Sequence, residues 1–185
     1  MLLNKTEQII LEEFTKSKGS RIYGRAIANK FNLNQKTVSN ILNKLEKEDI
    51  LKFKEEGKNK YYFLNKNKLE IKEIIKLIEI NKKINFMGKN PKLRKLIDEI
   101  EKISKGILII FGSYAKNTQK KDSDLDLVII GNIGDLKEFE DSFGIEINVI
   151  KIGKNKFDQN EVFIKELMEN HIILKGTGEF VDLIW

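Results

Sequence analysis

Two aspartates two residues apart, Asp124 and Asp126, open one apolar run, and the pair Gly112-Ser113 closes the apolar run before it. Across Ile107 to Gly131, ILIIFGSYAKNTQKKDSDLDLVIIG, this order reads as strand, tight turn, short helix, loop and strand. Glycine lets backbone approach a ligand closely, and the free N–H groups at a helix start can receive an anion. Carboxylates at i and i+2 of a strand share one face, because side chains alternate. A phosphate cradle followed by two same-facing aspartates is what a Mg²⁺-nucleotide site requires.

Composition removes the competing chemistries. The 185 residues include no cysteine and one histidine, which excludes disulfides, thiolate metal sites and most histidine-based zinc sites. Any metal must therefore rest on carboxylates, and Mg²⁺ or Mn²⁺ is the expected ion. With 41% hydrophobic and 34% charged residues and a single proline, the chain is of the globular class. No apolar run approaches a membrane span, and the opening MLLNKTEQIILEE carries acids where a signal peptide needs an apolar core. No membrane partner is expected, and the cytoplasm is the expected compartment.

The elements that position this stretch begin far upstream. Ile9, Ile10, Leu11 and Phe14 predict a helix within Lys5 to Lys18, stopped at Gly19-Ser20. Tyr23, Ala26, Ile27 and Phe31 predict a second. Asn34 can cap a third, in which Val38, Ile41, Leu42 and Leu45 fall at i, i+3, i+4 and i+7. Two β-type runs, Leu51–Lys54 and Tyr61–Leu64, flank EEGKNK and predict a hairpin. Residues 1–65 carry 13 Lys/Arg against 8 Asp/Glu, so most of the net +6 charge lies there, which points to a polyanionic partner.

This arrangement, and GRAIANKFNLNQKTVSNILNKLEKEDIL within it, resembles the winged helix-turn-helix family over Leu2 to Leu64. The resemblance implies a DNA partner, with the third helix in the major groove and the hairpin near the backbone. Gln35, Lys36, Thr37, Ser39 and Asn40 would then meet bases or phosphates, and Arg21, Arg25, Lys58 and Lys60 phosphates. The alternative is a domain for protein contacts whose polar face is merely solvated.

From Asn65 to Phe86, Ile71, Ile74, Ile75 and Ile78 form an apolar stripe, widened by Leu77, Ile80 and Ile84. Such a face bridges to the next domain or pairs two copies in a homodimer. Asn90 as cap and Pro91 at the first helical position start another helix, which Gly106 ends before the strand Ile107–Phe111. A further strand is expected at Gly144–Ile150, a helix at roughly Asn160–Asn170, and β-like structure from His171 to Trp185.

GSYAKNTQKKDSDLDL resembles the signature of the DNA polymerase beta-like nucleotidyltransferase superfamily in its minimal form. The usual pattern there is G-S-x-A-[RK]-G, five residues, then S-D-x-D-L, matched here by Gly112, Ser113, Ala115, Lys116, Ser123, Asp124, Asp126 and Leu127. The resemblance implies that Gly112 and Ser113 hold a nucleoside triphosphate, ATP being expected, with Lys116 adding to the anion field. Asp124 and Asp126 would ligate the divalent ions, and a third carboxylate on the next strand would complete the site. Glu146 is the one acid in the strand expected there and is assigned that role as metal ligand and catalytic group. Three departures stand out: Asn117 replaces the usual glycine, the third acid is Glu, and Asp122 adds charge before Ser123.

The expected fold class is α+β. A winged helix-turn-helix domain over 1–65 and a helical linker over 66–88 precede a nucleotidyltransferase domain over 89–185, a mixed sheet flanked by helices. The expected activity is Mg²⁺-dependent transfer of NMP from an NTP to an acceptor hydroxyl, with a protein acceptor left open. The alternatives are a DNA-binding regulator whose second domain senses nucleotide or scaffolds, and an antitoxin-like enzyme acting on a partner toxin.

Overall fold

The computed structural model describes residues 4–16, 19–158 and 161–185. The chain divides into two compact units, Met1–Ile78 and Glu79–Trp185.

In the first unit, α1 (Lys5–Thr15) begins with a capping box: the Asn4 side chain accepts from the Thr6 and Glu7 amides, and the Glu7 carboxylate accepts from the Asn4 amide. The helix ends before the expected Lys18, which lies outside the described residues. A two-residue strand, β1 (Ile22–Tyr23), leads into α2 (Gly24–Phe31) and α3 (Gln35–Lys47). Asn34 caps α3 by accepting from the Lys36 and Thr37 amides, as its position implied. Strands β2 (Leu51–Glu56) and β3 (Asn59–Leu64) extend further into EEGKNK than expected, leaving Gly57-Lys58 as a two-residue turn between paired Glu56 and Asn59. The antiparallel sheet has the order β1-β3-β2. Ile10, Leu11, Phe14, Ile27, Val38, Leu42, Leu45 and Leu51 are buried.

Helix α4 (Ile71–Lys89) contains the boundary between the units. Ile71, Ile75 and Ile78 are buried, whereas Leu77, Ile80 and Ile84 remain exposed.

In the second unit a 3-10 turn at Pro91–Leu93 precedes α5 (Arg94–Ile103). Asn90 does not cap the turn. Its amide instead donates to the Phe86 carbonyl, and its side-chain oxygen accepts from Gln119. Then follow β4 (Ser104–Ile110), α6 (Gly112–Lys116), β5 (Leu125–Ile133), α7 (Lys137–Phe143), β6 (Ile147–Lys151), α8 (Val162–Glu169), β7 (Ile172–Lys175) and α9 (Thr177–Ile184). Gly106 lies inside β4 rather than ending a helix. At φ +96 it passes so close to the Ile130 carbonyl that a Cβ would sit 2.3 Å from it. The expected β-like C-terminus is a strand and then a helix: Gly176 turns the chain in left-handed geometry, and Phe180, Val181 and Ile184 form a helical apolar face. The start expected for α8 at Asn160 lies outside the described residues.

The four strands form a mixed sheet in the order β6-β5-β4-β7. β4 runs antiparallel to β5 and β7, and β5 parallel to β6. Alternation divides its side chains between two apolar layers. Leu108, Ile110, Leu125, Leu127, Ile129 and Ile147 pack with Leu96, Ile97 and Ile100 of α5. Ile107, Ile109, Val128, Ile130 and Ile173 pack with Ile164, Leu167, Phe180 and Ile184 of α8 and α9.

One charged cluster is buried in this unit. His171, 2% exposed, sets its Nδ1 3.1 Å from the Leu167 and Met168 carbonyls and its Nε2 3.1 Å from Glu79 Oε2. Lys82 Nζ lies 2.8 Å from the same carboxylate oxygen. Burial pushes the Glu79 pKa up, but the charges of Lys82 and His171 and the hydrogen bonds from both outweigh it, holding the value at about 2. Because the folded value lies below the ordinary 4.5, this carboxylate contributes its stability above that value. The contribution is lost as pH falls from there through about 2. Glu79→Ala leaves the largely buried Lys82 ammonium without its counter-charge and is expected to cost about 3–5 kcal/mol, measured by urea unfolding at neutral pH.

Candidate functional site

Backbone geometry brings Gly112 against Asp126. Phe111 N–H donates to the Asp126 carbonyl at 3.0 Å, which closes the β4–β5 ladder where the chain turns into α6. Gly112 then takes φ +67, a conformation that disfavours any side chain. The Asp126 carboxylate occupies the space a side chain would need: a Cβ at Gly112 would stand 2.1 Å from Asp126 Oδ2. Asn117 ends α6 at φ +57, so asparagine holds the left-handed position where the resembled signature has glycine. The loop closes on itself. Ser123 Oγ accepts from the Lys120 amide at 2.8 Å, and Tyr114 O–H donates to the Ser123 carbonyl at 3.4 Å. Burial, and then the negative charge of Asp124, raise the Tyr114 pKa.

Asp126 keeps the strand parity of Val128 and Ile130, and therefore faces the α8–α9 side of the sheet. Asp124 shares that face, because a single amide touches both carboxylates. Asn148 Nδ2 donates to Asp124 Oδ2 at 3.4 Å and to Asp126 Oδ1 at 3.3 Å. Asn148 is the parallel-register partner of Asp126. Glu146 has the same parity but precedes β6, which starts at Ile147 rather than Gly144; its carbonyl accepts from Leu125 N–H at 2.8 Å and its side chain is exposed. Among the described residues, no group of three or more His, Cys, Asp and Glu gathers as a metal cluster. The donor set at this point is two carboxylates and an amide. Mg²⁺ is commonly held by one or two carboxylates completed by substrate phosphates, so this set suits it.

Ser113 lies on the first turn of α6, half-buried, while Lys116 pairs with Glu166 at 2.9 Å. That lysine lowers the Glu166 pKa, through its hydrogen bond first and its charge second. Neither Asn148 nor Glu166 is among the site residues expected from sequence. Asn148 had a signal, since it lies two residues beyond Glu146 and so shares its strand face. Glu166 had none, standing 50 residues from Lys116.

In the first unit, Gln35, Lys36, Thr37, Ser39 and Asn40 are all exposed on the first turns of α3. Asn40 also lines a shallow concavity of about 530 Å³ with Asn43, Lys44, Lys47 and Glu48. Lys58 lies in the hairpin turn, and Lys60 Nζ sits 4.0 Å over the Phe53 ring. Arg21 pairs with Glu56 at 3.4 Å.

Residues 91–177 match the family model described as a nucleotidyltransferase domain. The matched segment runs from the 3-10 turn before α5 to the start of α9 and takes in the whole four-stranded sheet, Gly112 and both aspartates. Nucleotidyl transfer is the general chemistry of that family. Neither a curated protein nor a solved structure matches the chain. Among the described residues, no helix is long and apolar enough to cross a membrane.

Proposed function

We propose that this protein transfers a nucleoside monophosphate from a metal-bound NTP, ATP being expected, to an acceptor hydroxyl with release of pyrophosphate. The observation that carries the reading is that the Asp126 carboxylate lies against Gly112 while one amide, Asn148, joins it to Asp124, all within the matched domain. In this reading the two aspartates hold Mg²⁺ or Mn²⁺, which when bound neutralises charge on the phosphates. Ser113 and the Gly112 backbone receive the phosphates, with no side chain at 112 to keep them away. Lys116 turns from Glu166 toward the incoming anion. Glu146, exposed on the aspartate side of the sheet, is the carboxylate assigned to the acceptor hydroxyl. Incubation with each α-labelled NTP, Mg²⁺ and cell extract tests the reading: a labelled product identifies base and acceptor together, and no label with any NTP contradicts transfer.

A second reading is favoured by Asn148. A neutral amide, not an acid, stands across from Asp126 on the strand where the resemblance implies a third acid, and that suits a domain which binds nucleotide without turning it over. Saturable NTP binding without labelled product distinguishes this sensor from the enzyme.

The first unit is assigned to DNA on the exposed polar face of α3, the lysines of the β2–β3 hairpin and the local charge excess. Lys36→Ala and Lys58→Ala are each expected to weaken binding to any DNA sequence and to reduce the salt slope by about 1. Fluorescence anisotropy across salt concentrations reads this, and an unchanged slope in both variants counts against a phosphate role.

A further inference from the structure

Resting on the metal–nucleotide reading, we propose that Asn148 makes cation capture at the aspartate pair conditional on nucleotide. Its amide lies across the pair, donating to Asp124 at 3.4 Å and to Asp126 at 3.3 Å. These bonds soften the repulsion between two like charges on one strand face. An incoming cation must displace them, and in return the residue brings no charge of its own.

Cation affinity at oxygen-ligand sites follows the number of charged ligands. With Asp124 and Asp126 gathered and, among the described residues, no third acid in the cluster, a divalent cation is just neutralised by the side chains, and its remaining positions fall to water. The triphosphate changes that balance, supplying anionic oxygens beyond those of Asp124 and Asp126. The cation therefore enters with the nucleotide. Position 148 is where this is decided, because the parallel register sets it directly across from Asp126.

The test is Mn²⁺ binding read by electron paramagnetic resonance, with and without a non-hydrolysable ATP analogue, on the full chain and on Asn148→Asp. For the wild type, nucleotide is expected to tighten Mn²⁺ binding by about tenfold or more. Asn148→Asp, near-isosteric and exposed, is expected to bind Mn²⁺ without nucleotide about tenfold or more tightly than the wild type does. It is also expected to melt at lower temperature until Mn²⁺ is added, since three carboxylates then crowd one face. Nucleotide-free Mn²⁺ affinities that are equal in the two proteins would overturn the inference while leaving the metal–nucleotide site standing. Absence of Mn²⁺ binding by the wild type even with the analogue would overturn both.

Discussion

Asp126→Asn is expected to lower nucleotidyl transfer by about 100-fold or more while leaving the fold intact. The side chain is half-buried, and its load in the fold is light: the bond that closes the β4–β5 ladder goes to the Asp126 backbone carbonyl, which the substitution preserves. The amide keeps the shape of the carboxylate against Gly112 and removes one of two charges available to a cation. Loss of that charge relieves repulsion with Asp124, so the melting temperature should hold or rise. Calorimetric melting and transfer from labelled NTP, measured on the same preparation, check the two halves together. Wild-type transfer by a folded Asp126→Asn protein would remove Asp126 from the site.

Gly112→Ala separates binding from stability in the same way by a different cause. Left-handed geometry at φ +67 costs a non-glycine residue roughly 1–2 kcal/mol, a modest part of the stability of such a domain. The larger effect is local. A methyl group at this position stands 2.1 Å from Asp126 Oδ2 and 3.2 Å from its Cβ, so the carboxylate must swing away. Displacement of a reacting group by about 1 Å can cost on the order of 100-fold in rate. We therefore expect a small drop in melting temperature and loss of metal–NTP binding of about 10- to 100-fold. A large stability loss with unchanged nucleotide affinity would mean that Gly112 serves the turn alone.

Local spacing made much of this architecture legible. Asp124 and Asp126 could be placed on one face because the period of a strand is written in consecutive residues. Helix α3 was legible for a similar reason, with Asn34 as cap and four apolar residues in register behind it. Pairing between distant segments was not. Parity puts Asn148 on the face of Glu146, but it does not announce that Asn148 lies across from Asp126, because the register between two separate strands is written in neither of them. The expected strand put Glu146 on the aspartate face by parity, and β6 starts one residue later, at Ile147. Strand β1 has two residues and no period to detect. The C-terminal helix is hidden in the sequence because Gly176 and Gly178 look like turn residues, although Gly178 lies inside α9.

The central claim for Asp124 and Asp126 is that together they hold a metal-bound nucleotide. Isothermal titration of Mg·ATP into the wild type and into the Asp124→Asn/Asp126→Asn double variant tests this without depending on the acceptor. Saturable binding by the wild type, and none by a double variant that still melts cooperatively, is the expected result. Equal binding by the two proteins would contradict the account.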